Sequence, residues 1–364
     1  MRCYLDYNAS APMKEEVKEY VKQLVEVIGN PSSIHTNGRK SKNIIEISRK
    51  NIASILNCTA NNIIFTSGAT EANNLALSGY KNKIISSIEH ESIKNQENTI
   101  RVNVDNDGYI DLDMLENVLK SLKNKYKNII SVMYANNETG IIQPIEKIKI
   151  ISDLYNIPLH SDAVQVLGRL DIDFLKLGID MITVSSHKIG GPSGAGALIV
   201  SSKKNILKPL LLGGQQEDSL RSGTEPLLSI AGFGHAARMI NTKNIIKLKK
   251  LRNVFENKLK KAGLGIKIIA ENSKRLPNTF MMYVPKIKAA ELLMALDIEG
   301  FDVSTGSACS SGQAEPSSVL LHMGYSNIVA SSVIRISLGE YNRNCEADKL
   351  IDSLKKIIKR FNRI

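Results

Sequence analysis

Lys188 sits in the run "SSHKIGGPSGAGALIV" (residues 185–200), between a serine–histidine stretch and a series of glycines. A solvated loop lysine is one reading. The other is an amine that forms a Schiff base, which needs desolvation or neighbouring positive charge to lower its proton affinity. Earlier, "IPLHSDAVQVLG" (157–168) ends an apolar run with Asp162, followed by Gln165. A carboxylate at a strand end either caps a helix or keeps a ring nitrogen protonated, the condition under which pyridoxal phosphate becomes an electron sink. With Asp162 upstream, the working-amine reading of Lys188 is favoured. Ser185 and His187 then become phosphate donors, and the glycines let backbone and ligand approach closely.

Two further stretches carry polar groups at strand ends. "FTSGATEANNLAL" (65–77) passes from an apolar run through Ser67, Gly68, Ala69 and Thr70 into a helical pattern. Taken alone it is an ordinary capped turn; its other use is to hold a phosphate at a helix N-terminus. It lacks the Walker lysine and the GxGxxG spacing, which argues against nucleoside triphosphates and dinucleotides. In "IEHESI" (88–93), His90 is either a structural hydrogen-bonding residue or an imidazole that stacks on a ring and moves protons. Cys309 lies in "STGSACSSGQAEPSS" (304–318), whose small polar residues argue for an exposed thiol rather than a core one. Cys58, by contrast, reads as a small buried hydrophobe.

The elements that must position these groups are legible as periodicity. β-Branched runs recur at 62–66, 83–88, 128–134, 157–162, 180–186 and 196–200, with helix-length patterns between most of them. That alternation predicts an α/β fold: a large domain built on a mostly parallel sheet flanked by helices, with ligands beyond the carboxyl ends of the strands. From residue 14, Val17, Tyr20, Val21, Leu24, Val25 and Ile28 recur at helical spacing and predict one buried stripe. After about residue 243 a charged amphipathic stretch begins a region with its own strands and a closing helix from about Ala347. We therefore expect a large domain over 14–243 and a smaller α+β domain from 1–13 and 244–364, carrying the cysteine loop.

The 364 residues are 43% hydrophobic and 23% charged, which suits a folded globular chain. Aromatic residues are 5% and tryptophan is absent, so a base-stacking nucleic-acid platform is not indicated. The net charge of +12 is spread over segments such as "KNIIKLKKLRNVFENKLKK" (243–261) and reads as a solvated face, with an acidic protein partner left open. Cys3, Cys58, Cys309 and Cys345 show neither zinc nor disulfide spacing. No secretory or membrane-spanning pattern occurs, and a cytoplasmic protein is expected.

Taken in order, "YLDYNASAP", "GNPSSIH", "FTSGATEANNLAL", "EH", "NNETG", "HSDAVQ", "SSHKIGGPSGAGAL", "LRSGTEP", "STGSACSSG" and "IRISLG" cover nearly the whole chain. The series resembles the class V branch of the fold-type I pyridoxal-phosphate enzymes, and within it the cysteine desulfurases of the NifS/IscS type. By that resemblance Lys188 would hold pyridoxal 5'-phosphate as a Schiff base, His90 would stack on its ring and act in acid–base steps, and Asp162 would pair with the ring nitrogen. Asn137 and Gln165 would contact the ring oxygen. Thr70, the Ala69 backbone, Ser185 and His187 would hold the phosphate. Arg335 would bind the carboxylate of the L-cysteine substrate, with Asn137 beside it. Thr224 would reach a neighbouring subunit's phosphate, implying a homodimer.

The Cys309 thiolate would take sulfur from L-cysteine as a persulfide, leaving L-alanine, for iron–sulfur cluster assembly or tRNA thiolation. No resident metal is implied, though Cys309 could transiently ligate an iron–sulfur cluster. The long "GSAC" loop implies direct delivery to an acceptor such as an iron–sulfur scaffold or a tRNA-thiolation enzyme. The chain stops at "LKKIIKRFNRI", short of a docking tail, so the resemblance supports the activity better than any particular acceptor. Gly191 and Ser193 depart from the family pattern and are expected to thin the wall near the cofactor. A selenocysteine lyase or class V aminotransferase is the alternative enzyme, and a sulfur or iron–sulfur carrier without catalysis the alternative of another kind.

Overall fold

The computed structural model describes residues 2–122, 127–201, 207–306 and 315–361. Its strands in chain order are β1 (Cys3–Tyr4), β2 (Ile63–Thr66), β3 (Asn82–Ser86), β4 (Thr99–Val102), β5 (Asn128–Ser131), β6 (Leu159–Asp162), β7 (Met181–Ser185), β8 (Gly196–Val200), β9 (Lys267–Ile268), β10 (Thr279–Tyr283), β11 (Phe301–Asp302) and β12 (Val333–Ser337). Seven of them form one sheet in the order β2-β8-β7-β6-β5-β3-β4. The four contacts from β4 to β7 are parallel, while β8 is antiparallel to both of its neighbours. The expected mostly parallel, mixed sheet is therefore present. β8 runs backwards because the glycine-rich segment after Ser185 returns the chain directly, pairing Ser185 with Gly196; a parallel neighbour would need a longer crossover.

Successive side chains on these strands enter opposite cores, as a two-residue period requires. Ile63, Phe65, Ile84, Ile182, Val184 and Ile199 pack with Ile45, Ile52, Leu56, Ile230 and Phe233. These partners come from the helices Thr36–Leu56 and Leu227–Arg238. Ile64, Ile85, Met181 and Leu198 face the other way, onto Ala72, Leu75 and Ala76 of the helix Ala69–Leu77. Both faces of the sheet are covered, and for that reason β2, β5, β6, β7 and β8 are buried along their whole length, while the edge strand β4 is partly open.

Inside the sheet, the fully buried His160 bridges Ser131 Oγ and Thr183 Oγ1, each at 2.9 Å. Burial lowers its pKa to about 3, so the ring is a neutral brace across β5, β6 and β7, two residues before Asp162.

A second sheet, β12-β10-β9, is antiparallel throughout. It packs against the helices Thr242–Lys261, Ala289–Ile298 and Cys345–Phe361. Phe255, Phe280, Leu292, Ile334, Ile336 and Leu350 make its core, and Cys3 and Leu5 from the N-terminal segment join it. Ile88, Met133, Ile141, Met281, Val319 and Val333 form a separate cluster between the two sheets. The smaller α+β unit expected from the sequence is thus observed.

The stripe read from residue 14 is only partly right. Its helix is Glu15–Leu24, Val17 alone of the six is buried, and Val25 and Ile28 are exposed. The chain leaves the helix ahead of Gly29 and Pro31, so the last two apolar positions never share a helical face. Cys58 is half-buried against the large core, and burial pushes its thiol up to about 11, as befits an unreactive hydrophobe. Among the described residues no helix is long and apolar enough to cross a membrane, and no three His, Cys, Asp or Glu side chains converge as a metal site.

Candidate active site

Beyond the carboxyl ends of β5, β6 and β7 lies a cavity of about 620 Å³. Of the residues singled out from the sequence, Ala69, Thr70, His90, Asn137, Asp162, Gln165, Ser185, His187, Lys188 and Arg335 all line it. Arg335 arrives from β12 of the second sheet, so the site is completed across the seam between the two cores. Thr224 is exposed and does not line this cavity. Cys309 lies outside the described residues, although Ser304, Thr305 and Gly306 before it line the cavity wall.

Lys188 follows β7 and points its Nζ at two backbone carbonyls, Asn8 O at 2.6 Å and Ala9 O at 2.8 Å. These acceptors are held firmly: buried Asn8 donates from Nδ2 to Thr279 Oγ1 at 3.0 Å and to Asn137 O at 3.1 Å, and its N–H donates to Ser337 Oγ at 2.9 Å. Burial, then the positive charges of Arg169 and Arg335, pull the Lys188 amine down to about 8, against the opposing pull of Asp162 and Asp6. The same burial, with Lys188 and Arg169, lowers His187 to about 4 and leaves it a neutral ring at pH 7.

Asp162 ends β6 and is 7% exposed. Its Oδ1 accepts the Val164 N–H at 3.0 Å, and its Oδ2 accepts Asn73 Nδ2 at 2.8 Å. Asn73 projects from the helix Ala69–Leu77 and also donates to Ser92 Oγ at 2.9 Å; its Oδ1 is buried without a partner among the described residues. The carboxylate is therefore oriented by its own strand end and by the helix that faces the cavity.

That helix begins at Ala69 with no side-chain cap on its first N–H groups. Residues 67–70 can lie flat against β8 because residue 196 is glycine: a Cβ there would come within 2.6 Å of the Gly68 carbonyl carbon. The uncapped N-terminus, Thr70, Ser185 and His187 together form a wall suited to an anion.

His90 Nδ1 accepts the Ser92 N–H at 3.2 Å and lies 2.9 Å from Ser92 Oγ. With Nδ1 used as acceptor, the neutral ring carries its proton on Nε2. Arg335 is 5% exposed; its Nη2 pairs with Asp6 Oδ1 at 2.6 Å and its Nη1 donates to Asn137 O at 3.1 Å. Its Nε is buried and without a partner among the described residues.

Asn8, Asn73, Arg169 and Glu138 are functional candidates that motif reading missed. Glu138, next to Asn137, is buried, and burial raises its carboxyl above the usual range. Its Oε2 accepts Ser317 Oγ–H at 2.6 Å, tying the chain beyond the cysteine segment to the residue next to the cavity-lining Asn137. Asn8 lay within a quoted motif, but nothing local marks a backbone carbonyl as a lysine acceptor. Of the two departures expected near the cofactor, Ser193 lines the cavity. Gly191 does not: its Cβ position is filled by Ser186 Oγ, 2.3 Å away, so one small residue accommodates the other away from the ligand space.

Residues 3–350 match the family model described as aminotransferase class V. The chain is 37% identical to the cysteine desulfurase IscS of Dictyoglomus turgidum, over 99% of this chain and 95% of the relative. It is equally 37% identical to the cysteine desulfurase IscS 1 of Archaeoglobus fulgidus, over 98% and 97% of the two chains. The crystal structure of a NifS-like protein from Rickettsia africae superposes with a TM-score of 0.92 at 39% identity, covering 99% of this chain and all of that one.

Proposed function

The chain belongs to the class V aminotransferase family, among its pyridoxal-phosphate-dependent cysteine desulfurases of the IscS and NifS type, and from that footing we propose that it converts L-cysteine to L-alanine and passes the sulfur to Cys309. The observation that carries this reading is a single cavity joining a half-buried amine, a strand-end carboxylate, an uncapped helix N-terminus and an arginine whose Nε has no partner among the described residues.

This donor set fits pyridoxal phosphate. Lys188 is the amine that anchors it, Asp162 the partner of its ring nitrogen, and Gln165 and Asn137 the contacts to its ring oxygen. Thr70, the Ala69 backbone, Ser185 and His187 hold its phosphate. When bound, the cofactor supplies an electron sink that weakens bonds at the substrate's α- and β-carbons.

The protein's own groups do the rest. Arg335 is held in place by Asp6 and Asn137 O, and its Nε, without a partner among the described residues, recognises the substrate carboxylate, with Asn137 alongside. His90 lies over the cavity and moves protons at Nε2. Lys188, which borders the same cavity with a lowered proton affinity, would be a base for proton transfer there.

In the net reaction the carbon–sulfur bond of L-cysteine breaks, a carbon–hydrogen bond forms in L-alanine, and a sulfur–sulfur bond forms on Cys309. L-Cysteine and the Cys309 thiol become L-alanine and the Cys309 persulfide, with no outside oxidant or reductant. The sulfur then goes to an acceptor such as an iron–sulfur scaffold or a tRNA-thiolation enzyme, in the cytoplasm. Cys309 could also ligate a cluster transiently during such delivery. The exposed position of Thr224 suits a residue that completes the phosphate site of a second copy, so the working form is a homodimer. Residues 14–243 would be the cofactor-binding domain, and 1–13 with 244–364 the domain that carries the cysteine.

The test is to supply the cofactor-loaded protein with L-cysteine and a thiol reductant. Alanine and sulfide in equal amounts are expected; no alanine would overturn the reading, and turnover of another amino acid with Cys309 dispensable would favour the aminotransferase. The Lys188 amine also sets a pH dependence. Only its neutral form attacks an aldehyde, so cofactor capture by the stripped protein is expected to rise about tenfold per pH unit at first and to level off above about 8. Stopped-flow absorbance would measure this, and a plateau reached only near the pKa of an ordinary lysine would contradict it.

A further inference from the structure

We propose that Arg169, which does not line the ligand cavity, is a positioning residue for Lys188: it locks the Gln165 amide and sets buried positive charge against the amine. The inference rests on the reading of Lys188 as the cofactor-holding amine. Arg169 is 5% exposed and lines a smaller cavity of about 80 Å³ that Lys188 also borders. Its Nη2 donates to Tyr7 O at 3.0 Å, and its Nη1 donates to Gln165 O at 2.9 Å and to Gln165 Oε1. All three acceptors are neutral.

Among the described residues no carboxylate pairs with it. A buried guanidinium with no counter-ion is an expensive feature, unlike the paired Arg275, whose Nη1 meets Glu256 Oε1 at 2.8 Å elsewhere in the protein. If stability were the purpose, an apolar side chain would serve as well.

The geometry indicates what the charge is for. With Oε1 of Gln165 engaged by Arg169, the amide cannot flip, and its Nε2 donates to Asn8 O at 3.1 Å. That carbonyl is the one that receives Lys188 Nζ. Arg169, Gln165, Asn8 and Lys188 thus form one chain of contacts, and the guanidinium adds like charge beside the amine. Of the other groups around Lys188, Arg335 adds to this effect, Asp162 and Asp6 oppose it, His187 is neutral, and Lys14 and Glu340 border the smaller cavity. Burial pushes the guanidinium itself down, with Arg335 as the next contribution, which is consistent with a charge held under repulsion.

The test reads Lys188 directly in the cofactor-free full-length protein, by competitive acylation across pH with peptide mass spectrometry. Arg169→Gln and Arg169→Met, two neutral replacements, are expected to raise the midpoint of Lys188 by on the order of one pH unit. Arg169→Lys, which keeps the charge, should hold it near the wild-type value. A lysine's three donors sit on one nitrogen and cannot span the acceptors that Nη1 and Nη2 reach separately, so Arg169→Lys should weaken pyridoxal-phosphate binding roughly tenfold, the effect of one lost charge-assisted hydrogen bond.

An unchanged midpoint in either folded neutral variant would overturn the charge role. Unchanged cofactor affinity in Arg169→Lys would overturn the locking role, and this conservative variant decides the matter if the neutral ones do not fold. Borohydride reduction of the loaded wild type separates this inference from the reading beneath it. A cofactor found on a lysine other than Lys188 would refute that earlier reading, while the acylation midpoints would still report whether Arg169 governs Lys188.

Discussion

Replacing Lys188 with alanine is expected to reduce alanine formation from L-cysteine about a thousandfold or more, because covalent anchoring and proton transfer are lost together. The change removes an amine that, among the described residues, is hydrogen-bonded to the Asn8 and Ala9 carbonyls, and the other bonds of Asn8 keep that segment in place. The fold should therefore survive, and the melting temperature should stay close to that of the wild type. Pyridoxal phosphate should still associate, since the uncapped helix start, Ser185, His187 and Asp162 are untouched, but it should be removable by dialysis and leave no label after borohydride reduction. Equilibrium binding together with mass spectrometry of the reduced protein would measure this. Retention of a covalent label in Lys188→Ala would mean that another lysine carries the cofactor.

Substitution of Cys309 by serine is expected to have an effect of a different kind. The hydroxyl cannot form the sulfur–sulfur bond at neutral pH, so sulfide release with a thiol reductant should fall by on the order of a hundredfold or more, as expected for loss of a nucleophile. Binding should be spared, because Arg335, Asn137 and His90 are contributed by other segments. The cofactor absorbance of Cys309→Ser should therefore still respond to L-cysteine at concentrations close to those effective for the wild type. In the wild type, a single turnover without reductant should add one sulfur atom to the mass of the peptide containing Cys309. Equal sulfide release from both proteins would remove Cys309 from the chemistry while leaving the role of Lys188 intact.

Much of the site could be read from local sequence because the groups concerned follow strands or open helices. Asp162 ends β6, Lys188 follows β7 by three residues, and Ala69 and Thr70 open the helix after β2, so strand periodicity and a turn motif marked them as candidates and the ordered motifs gave them their proposed roles. Asn73, Arg169 and Glu138 escaped for a common reason: each acts through a partner distant in the chain or through an unmarked backbone group. Asn73 reaches Asp162, Glu138 reaches Ser317, and Arg169 reaches the Tyr7 carbonyl as well as its near neighbour Gln165. The misjudged end of the first helix has a similar origin. Apolar spacing continues through Val25 and Ile28, but whether an apolar residue is covered depends on what packs against it.

The alternation of strands and helices and, through the ordered motifs, the family were already legible in the chain, which also marked Lys188 and Asp162 as the candidate amine and carboxylate. These properties are written in nearest-neighbour chemistry: side-chain period, turn residues and donors at strand ends. Only the tertiary structure decided how reactive those groups are. Lys188 has a lowered proton affinity because folding withdraws it from water and brings Arg169 and Arg335 close to it, the latter from the second sheet. Desolvation and through-space charge depend on distances that the spacing of residues along the chain does not encode.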